Sequence, residues 1–308
     1  MSLLVVGSVA LDSVLTPSDE RNDILGGSAS FFSAVSSLLG PVRLVAVVGD
    51  DFPEEHVQFL AERGVDIEGL QRATGRTFRW KGRYLDDMVS RETLDTQLNV
   101  FESFKPQLPK SYADSDFVFL ANIDPHLQRD VLDQIDKPRF VALDTMNFWL
   151  RDHYLDVLKD VLKRVDVVFL NDEEASMLSG RNNLVAAAAA IRDLGVPRVI
   201  IKRGDAGAML FDEEGIFLAP AFPLENVVDP TGAGDSFAAG FMAYLAHKAD
   251  QRAITAERAR QALIFGSASA SFAVEDFSVD RFRTLELNQV VERCAGFSRL
   301  VRFSPVEI

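Results

Sequence analysis

Strand-length apolar runs alternate with amphipathic ones along most of this chain, and that rhythm limits the folds open to it. Residues 3–6, 42–48, 117–121, 140–143, 167–170 and 199–201 are short runs rich in β-branched and aromatic side chains. Between them, 28–39, 53–63, 127–135, 154–165, 173–179 and 184–194 have helical character, with Gly40-Pro41 and Gly64 as stop signals for the first two. Near-continuous apolar strands separated by helices predict a mostly parallel sheet covered on both faces, a three-layer α/β/α architecture.

One segment breaks the rhythm. Residues 76–84 (RTFRWKGRY) and 89–100 are rich in Thr, aromatic and charged residues, with no helix between them. They read as solvent-facing strands. Together with 12–25 they predict a small β flap over one edge of the main sheet. The chain therefore reads as one domain over 1–308, with lid segments at about 12–25 and 76–101.

Charge and composition narrow the function. Against 46 Asp+Glu stand 32 Lys+Arg, a formal net charge of -14, which argues against non-specific binding to nucleic acid or an anionic membrane. A phosphate site built from local donors is compatible with that charge. No apolar run approaches the ~20 residues of a membrane helix. The N-terminal MSLLVVGSVALD lacks a basic region and a cleavage site, so it reads as a first strand and the cytoplasm is the expected location. The single Cys294 excludes an internal disulfide.

The stretch Asp229-Pro230-Thr231-Gly232-Ala233-Gly234-Asp235-Ser236-Phe237 carries the chemistry. Two glycines and a carboxylate stand where a loop turns into an apolar helix. Glycine lets backbone N–H groups approach a ligand, and a helix N-terminus favours anions. A carboxylate is a poor phosphate ligand, so Asp235 reads as a proton acceptor beside a transferring phosphoryl group. Other nucleotide motifs are absent: there is no G-x-x-x-x-G-K-[ST] and no G-x-G-x-x-G after the first strand. His56, His126, His153 and His247 are scattered without metal-ligand spacing.

The nine-residue string resembles the C-terminal signature of the ribokinase-like, or PfkB, carbohydrate kinases, usually written D-T-x-G-A-G-D. The resemblance covers essentially the whole chain in order. Gly7 to Asp12 resembles the first strand and the aspartate that binds substrate hydroxyls, and Gly26-Gly27 resembles the diglycine beside the sugar. Val47 to Phe52 resembles V-G-x-D-x-[FW]-G, with Pro53 in place of the last glycine. Asn171 to Glu174 resembles the N-x-x-E motif, and Lys202 to Gly207 resembles the K-x-G-x-x-G turn beside the nucleotide. On the residues alone, Asn171 and Glu174 also read as a helix cap and its partner, Gly204 and Gly207 as hairpin turn residues, Lys202 as a surface lysine and Asp12 as a loop acid.

The resemblance implies transfer of the ATP γ-phosphoryl group to a hydroxyl, usually a primary one, of a sugar or sugar derivative. A nucleoside kinase of the same fold is the alternative, and a non-catalytic ligand-binding protein on a kinase scaffold is the reading from another class. Gly232, Ala233 and Gly234 would supply an anion hole. Asp235 would be the base, kept ionised by the helix terminus. Asn171, Glu174, Lys202, Gly204, Gly207 and Thr231 would serve ATP, with Glu174 holding Mg²⁺ through water. Asp12, Gly26, Gly27 and Phe31 would face the acceptor. Phe31 stands where ribokinases have a sugar-binding Asn, and it offers a surface for stacking, as do Phe32, Trp80, Phe148 and Trp149. Asp229 and Thr231 could contribute to a monovalent-cation site, but Phe277 stands where relatives often have Gly. The exposed flap strands suggest a homodimer contact.

Overall fold

Strands that pair in parallel need a crossover between them, and this chain supplies a helix for most of those crossovers. The computed structural model describes residues 1–248, 254–302 and 304. In chain order its elements are β1 (Leu3–Val6), β2 (Ala10–Leu15), β3 (Glu20–Gly26), α1 (Ser28–Ser36), β4 (Val42–Val48), α2 (Glu54–Glu62), β5 (Val65–Arg72), β6 (Arg79–Tyr84), β7 (Arg91–Gln97), β8 (Phe117–Leu120), α3 (Pro125–Leu132), β9 (Phe140–Asp144), α4 (Asp152–Leu162), β10 (Val167–Asn171), α5 (Asp172–Ser179), α6 (Leu184–Arg192), β11 (Arg198–Lys202), β12 (Ala208–Asp212), β13 (Gly215–Ala219), α7 (Ala233–Lys248), α8 (Ala256–Ala273), α9 (Asp280–Thr284) and α10 (Leu287–Val301).

Among the described residues, nine strands form the main sheet in the order β13-β12-β11-β10-β9-β8-β1-β4-β5. The strands from β5 to β11 in that order are parallel, and β12 and β13 extend the sheet as an antiparallel hairpin. Alternation along each strand feeds two cores. Leu3 and Val5 face α1, α7 and α8, while Leu4 and Val6 face α3, α4 and α6. On the first face Phe32 of α1 stacks on Phe119 of β8 at 4.4 Å, and Phe241 of α7 meets Phe169 edge-on. Each fully buried Phe contributes about 1.5–3 kcal/mol of transfer free energy. Three parts escape the sequence reading: β5, the β12–β13 hairpin and the C-terminal helices α8 to α10. In β5 the pattern VDIEGLQR mixes polar and apolar residues because it is an edge strand, half exposed.

A second sheet, β3-β2-β6-β7, stands off the first. It is built from the two segments expected to form the flap. Its anchor is the loop after β4. A Cβ on Gly49 would lie 2.2 Å from the Gly75 carbonyl oxygen, so the two stretches of backbone are in direct contact. Asp50 N–H donates to the Gly75 carbonyl at 2.8 Å. Asp51 Oδ1 accepts from the N–H and hydroxyl of Thr77 at 2.7 and 2.8 Å, and its Oδ2 accepts from Arg79 at 2.7 Å. Thr77 is fully buried. The V-G-x-D resemblance thus marks the attachment of the small sheet to the large one.

Replacing Asp51 by Ala leaves the buried Thr77 donors unpaired. The Asp51→Ala variant should lose about 1–3 kcal/mol in urea unfolding; an unchanged midpoint would show that the anchor lies elsewhere.

Candidate active site

The parallel strands end on one edge, which is where open α/β sheets place their ligands. β9 ends in Asp144, β10 in Asn171 and β11 in Lys202, with Asn171 and Lys202 directly opposite in register. Lys202 Nζ pairs with Asp144 Oδ2 at 2.7 Å, and the two side chains are only 19% and 4% exposed. The same ammonium would lie 3.2 Å from a Cβ on Gly234. The strand ends and the start of α7 therefore share one small volume.

The loop before α7 is held by its own backbone. Thr231 N–H donates to Asp229 Oδ1 at 2.8 Å, Ala233 N–H to the Pro230 carbonyl at 3.2 Å, and Ser236 N–H to the Gly232 carbonyl at 2.8 Å. The N–H groups of Gly232 and Gly234 have no acceptor among the described residues. These two are free to donate to a ligand; Ala233, expected to be a third donor, spends its N–H on the turn. Gly232 has φ +74, and a Cβ there would lie 2.4 Å from the Phe31 ring. Only glycine meets both conditions.

That contact corrects the expectation for Phe31. The ring is buried beneath Gly232, in the core, and it is not a stacking surface for a ligand. Asp12, on β2, is brought in from the small sheet. A Cβ on Gly26 would sit 2.0 Å from its carboxyl, and Gly27, at φ +90, donates its N–H to it. Gly27 also opens α1. Asn171 and Glu174 form a full capping box on α5: Asn171 Oδ1 accepts from the Glu174 N–H at 2.7 Å, and Glu174 Oε2 accepts from the Asn171 N–H at 2.9 Å. Asn171 Nδ2 donates to the other Glu174 oxygen at 2.9 Å. Gly204 begins a 3-10 turn after β11, and Gly207 closes it, donating its N–H to the Gly204 carbonyl at 3.1 Å.

Three groups that the sequence left unassigned, together with Trp80, complete the geometry. Asp144 is the last residue of β9, one position beyond the strand run read from the sequence. Arg91 and Tyr84 face each other across the β6–β7 ladder. Tyr84 OH accepts from the Thr231 hydroxyl at 3.3 Å, tying the small sheet to the loop. Trp80 shares the cluster of Val14, Tyr84 and Phe277. The signal for these was weak, because strand registers bring them together and no local motif does.

Burial dominates the electrostatics. It pushes the Asp235 carboxyl up to about 7, with Asp144 adding to the rise and Lys202 and Arg91 opposing it. This reverses the expectation that the helix terminus keeps Asp235 ionised, because desolvation and a neighbouring carboxylate outweigh the dipole. Burial likewise lifts Asp12 to about 7, with Asp229 and Asp235 nearby, and Glu174 to about 7, with Asp144 nearby. Burial alone would lower Lys202, but Asp144, Glu174 and Asp235 hold its ammonium above the ordinary lysine value. Arg91 supplies positive charge to Asp12, Glu174 and Asp235 alike.

The model of the pfkB family carbohydrate kinases matches residues 3–283. A cytidine kinase from Thermococcus kodakarensis is 32% identical over 253 residues, covering 79% of this chain and 88% of that protein. A 2-dehydro-3-deoxygluconokinase from Thermoproteus tenax is 26% identical over 308 residues, covering 86% and 89%. A putative ribokinase II from E. coli, solved with ATP and Mg²⁺, shares the fold with a TM-score of 0.79 at 21% identity, over 96% of this chain and 99% of that one. Among the described residues no helix is long and apolar enough to cross a membrane.

The raised Asp235 carboxyl has a measurable cost. Between the ordinary value of 3.8 and about 7, only the folded chain holds this proton, so its contribution to stability falls as pH rises through that window and is constant above it. Asp235→Asn should therefore melt higher than the parent at pH 8, by about 2–4 °C per kcal/mol relieved. The gain should shrink toward pH 4. A lower melting temperature at pH 8 would contradict the assignment.

Proposed function

The chain belongs to the pfkB family of carbohydrate kinases, and from that premise we propose that it phosphorylates a nucleoside on its primary hydroxyl. It is an ATP-dependent phosphotransferase with an alcohol acceptor. The reading rests on one observation above the others. Two carboxylates, the buried Asp12 from the small sheet and the half-buried Asp235 from α7, come close enough for Asp235 to raise the Asp12 carboxyl, in a volume that also holds Lys202 and the free N–H groups of Gly232 and Gly234. The acceptor class follows the 32% identical cytidine kinase, which is matched over most of both chains.

In this reading the acceptor hydroxyl, anchored through its neighbours by Asp12, attacks the γ-phosphorus. The bond to the bridging oxygen breaks, ADP leaves, and the hydroxyl proton passes to Asp235. Gly232 and Gly234 donate to the phosphoryl oxygens, each well-placed donor being worth on the order of 10²–10³ in rate. Lys202 and Arg91 balance the negative charge. Thr231 and the turn at Gly204 and Gly207 border the nucleotide. The small sheet acts as a lid, since Tyr84 already reaches Thr231.

Mg²⁺ fits this site through water. Both Glu174 oxygens already accept from Asn171, and Asp144 is committed to Lys202, so neither offers a free carboxylate for direct entry. When bound, Mg²⁺ neutralises phosphate charge and keeps much of its hydration. A monovalent cation fits poorly: Asp229 accepts from Thr231 and Ser278, and Phe277 packs into the lid cluster. The reading of a sugar derivative as acceptor keeps the same chemistry. The non-catalytic reading leaves the free donors and the half-buried Asp235 without a purpose.

ATP-dependent turnover of a panel of nucleosides, free pentoses and hexoses separates these readings. Nucleosides should turn over fastest; rapid phosphorylation of a free hexose with no nucleoside activity would sink the proposal. Asp235→Asn should lower kcat by about 10²–10⁴ while ATP binding persists. The proton acceptor must be ionised. kcat/KM should therefore fall about tenfold per pH unit below about 7, and a flat profile down to pH 5 would remove Asp235 from that role.

A further inference from the structure

We infer that Gln128, on α3, is a positioning residue for phosphoryl transfer: it fixes the end of β9 so that Asp144 can hold Lys202 beneath Gly234. The inference rests on the kinase reading and is independent of which acceptor is used.

The buried stripe of α3 consists of Pro125, Gln128, Val131 and Leu132. Val131 and Leu132 belong to the core on that face of the sheet. Such spacing is that of an apolar helix face, yet a glutamine stands in the middle of it, 1% exposed. Its Oε1 is buried with no partner among the described residues. A buried polar atom left unpaired costs stability, so an apolar side chain would fill the stripe at lower cost. What glutamine adds is an amide nitrogen with two hydrogens.

Both hydrogens are used. Nε2 donates to the Ala121 carbonyl at 2.9 Å and to the Asp144 carbonyl at 3.0 Å. The β8–β9 ladder ends at the pair Leu120 and Leu143. Ala121 and Asp144 each lie one residue beyond it, where the strands give way to loops. One amide therefore joins the two chain ends after the ladder has stopped. It does so from behind the site. Phe140 and Ala142 face the α7 side of the sheet, and alternation puts the Asp144 side chain there too, opposite α3. In front, Asp144 Oδ1 accepts from the Thr145 N–H at 2.9 Å and Oδ2 from the Lys202 ammonium at 2.7 Å. The series of contacts from Gln128 through Asp144 to Lys202 ends at Gly234, where a Cβ would lie 3.2 Å from the ammonium. Gln128 itself touches none of the reacting groups.

Steady-state kinetics with ATP and the fastest acceptor from the panel of nucleosides, pentoses and hexoses test this. Gln128→Met keeps the length and fills the stripe but lacks both donors. Its kcat should fall about 10–100-fold, with both KM values within about twofold of the parent. Gln128→Asn, which carries the amide on a shorter arm, should fall between the two. In an Asp144→Ala background, Gln128→Met should lower kcat little further, because contacts in series are not additive. If Gln128→Met does not fold, Gln128→Asn carries the same comparison in both backgrounds. Parent-like kcat in the folded variant overturns the inference. So do equal proportional losses with and without Asp144, which would mark Gln128 as structural alone. Absence of turnover by the parent with every acceptor overturns the kinase reading and this inference together.

Discussion

The pair of Lys202 and Asp144 is the contact on which the site depends. Three other carboxylates crowd the same region: Asp235 raises the proton affinity of Asp12, and Asp144 raises that of Glu174 and Asp235. Without a buried cation such a group could not stay ionised at neutral pH. Lys202 supplies that cation from the end of β11, and Asp144 from the end of β9 fixes its position. A buried ion pair offers little net stability against an apolar replacement, because desolvation consumes most of the attraction. Its value here is placement: the ammonium lies beneath Gly234, next to the donors that would meet a phosphoryl group.

The parallel sheet was legible in the sequence because continuous apolar strands and their separating helices leave a local imprint. The loop at 229–235 was legible because its glycines and carboxylate stand together in one short contiguous string. Other features were not. Phe31 looked like a ligand surface because its position in α1 follows the diglycine; only the close approach of Gly232 shows that the ring is spent in the core. Asp235 looked ionised because a helix terminus is a local feature, whereas the burial that raises it depends on elements far apart in sequence. Asp144, Tyr84, Arg91 and Trp80 belong to the site through strand register, which no short motif records. The β12–β13 hairpin and β5 were missed for a simpler reason: edge strands carry mixed patterns.

The small sheet is positioned by polar contacts as well as by the apolar cluster of Val14, Tyr84 and Phe277. Asp51 grips Thr77 and Arg79, and Tyr84 touches Thr231. Thr77, Tyr84 and Thr231 are all buried, so these bonds are shielded from water as the apolar contacts are.

β2 and β6 are parallel neighbours, yet β4, α2 and β5 lie between them in the chain. Asp12 sits on this ladder, while β1, a few residues before it, pairs with β8 in the main sheet across a longer loop still. The short stretch between β1 and β2 is therefore a joint between the two sheets, and a shift of the small sheet relative to the large one carries Asp12 with it.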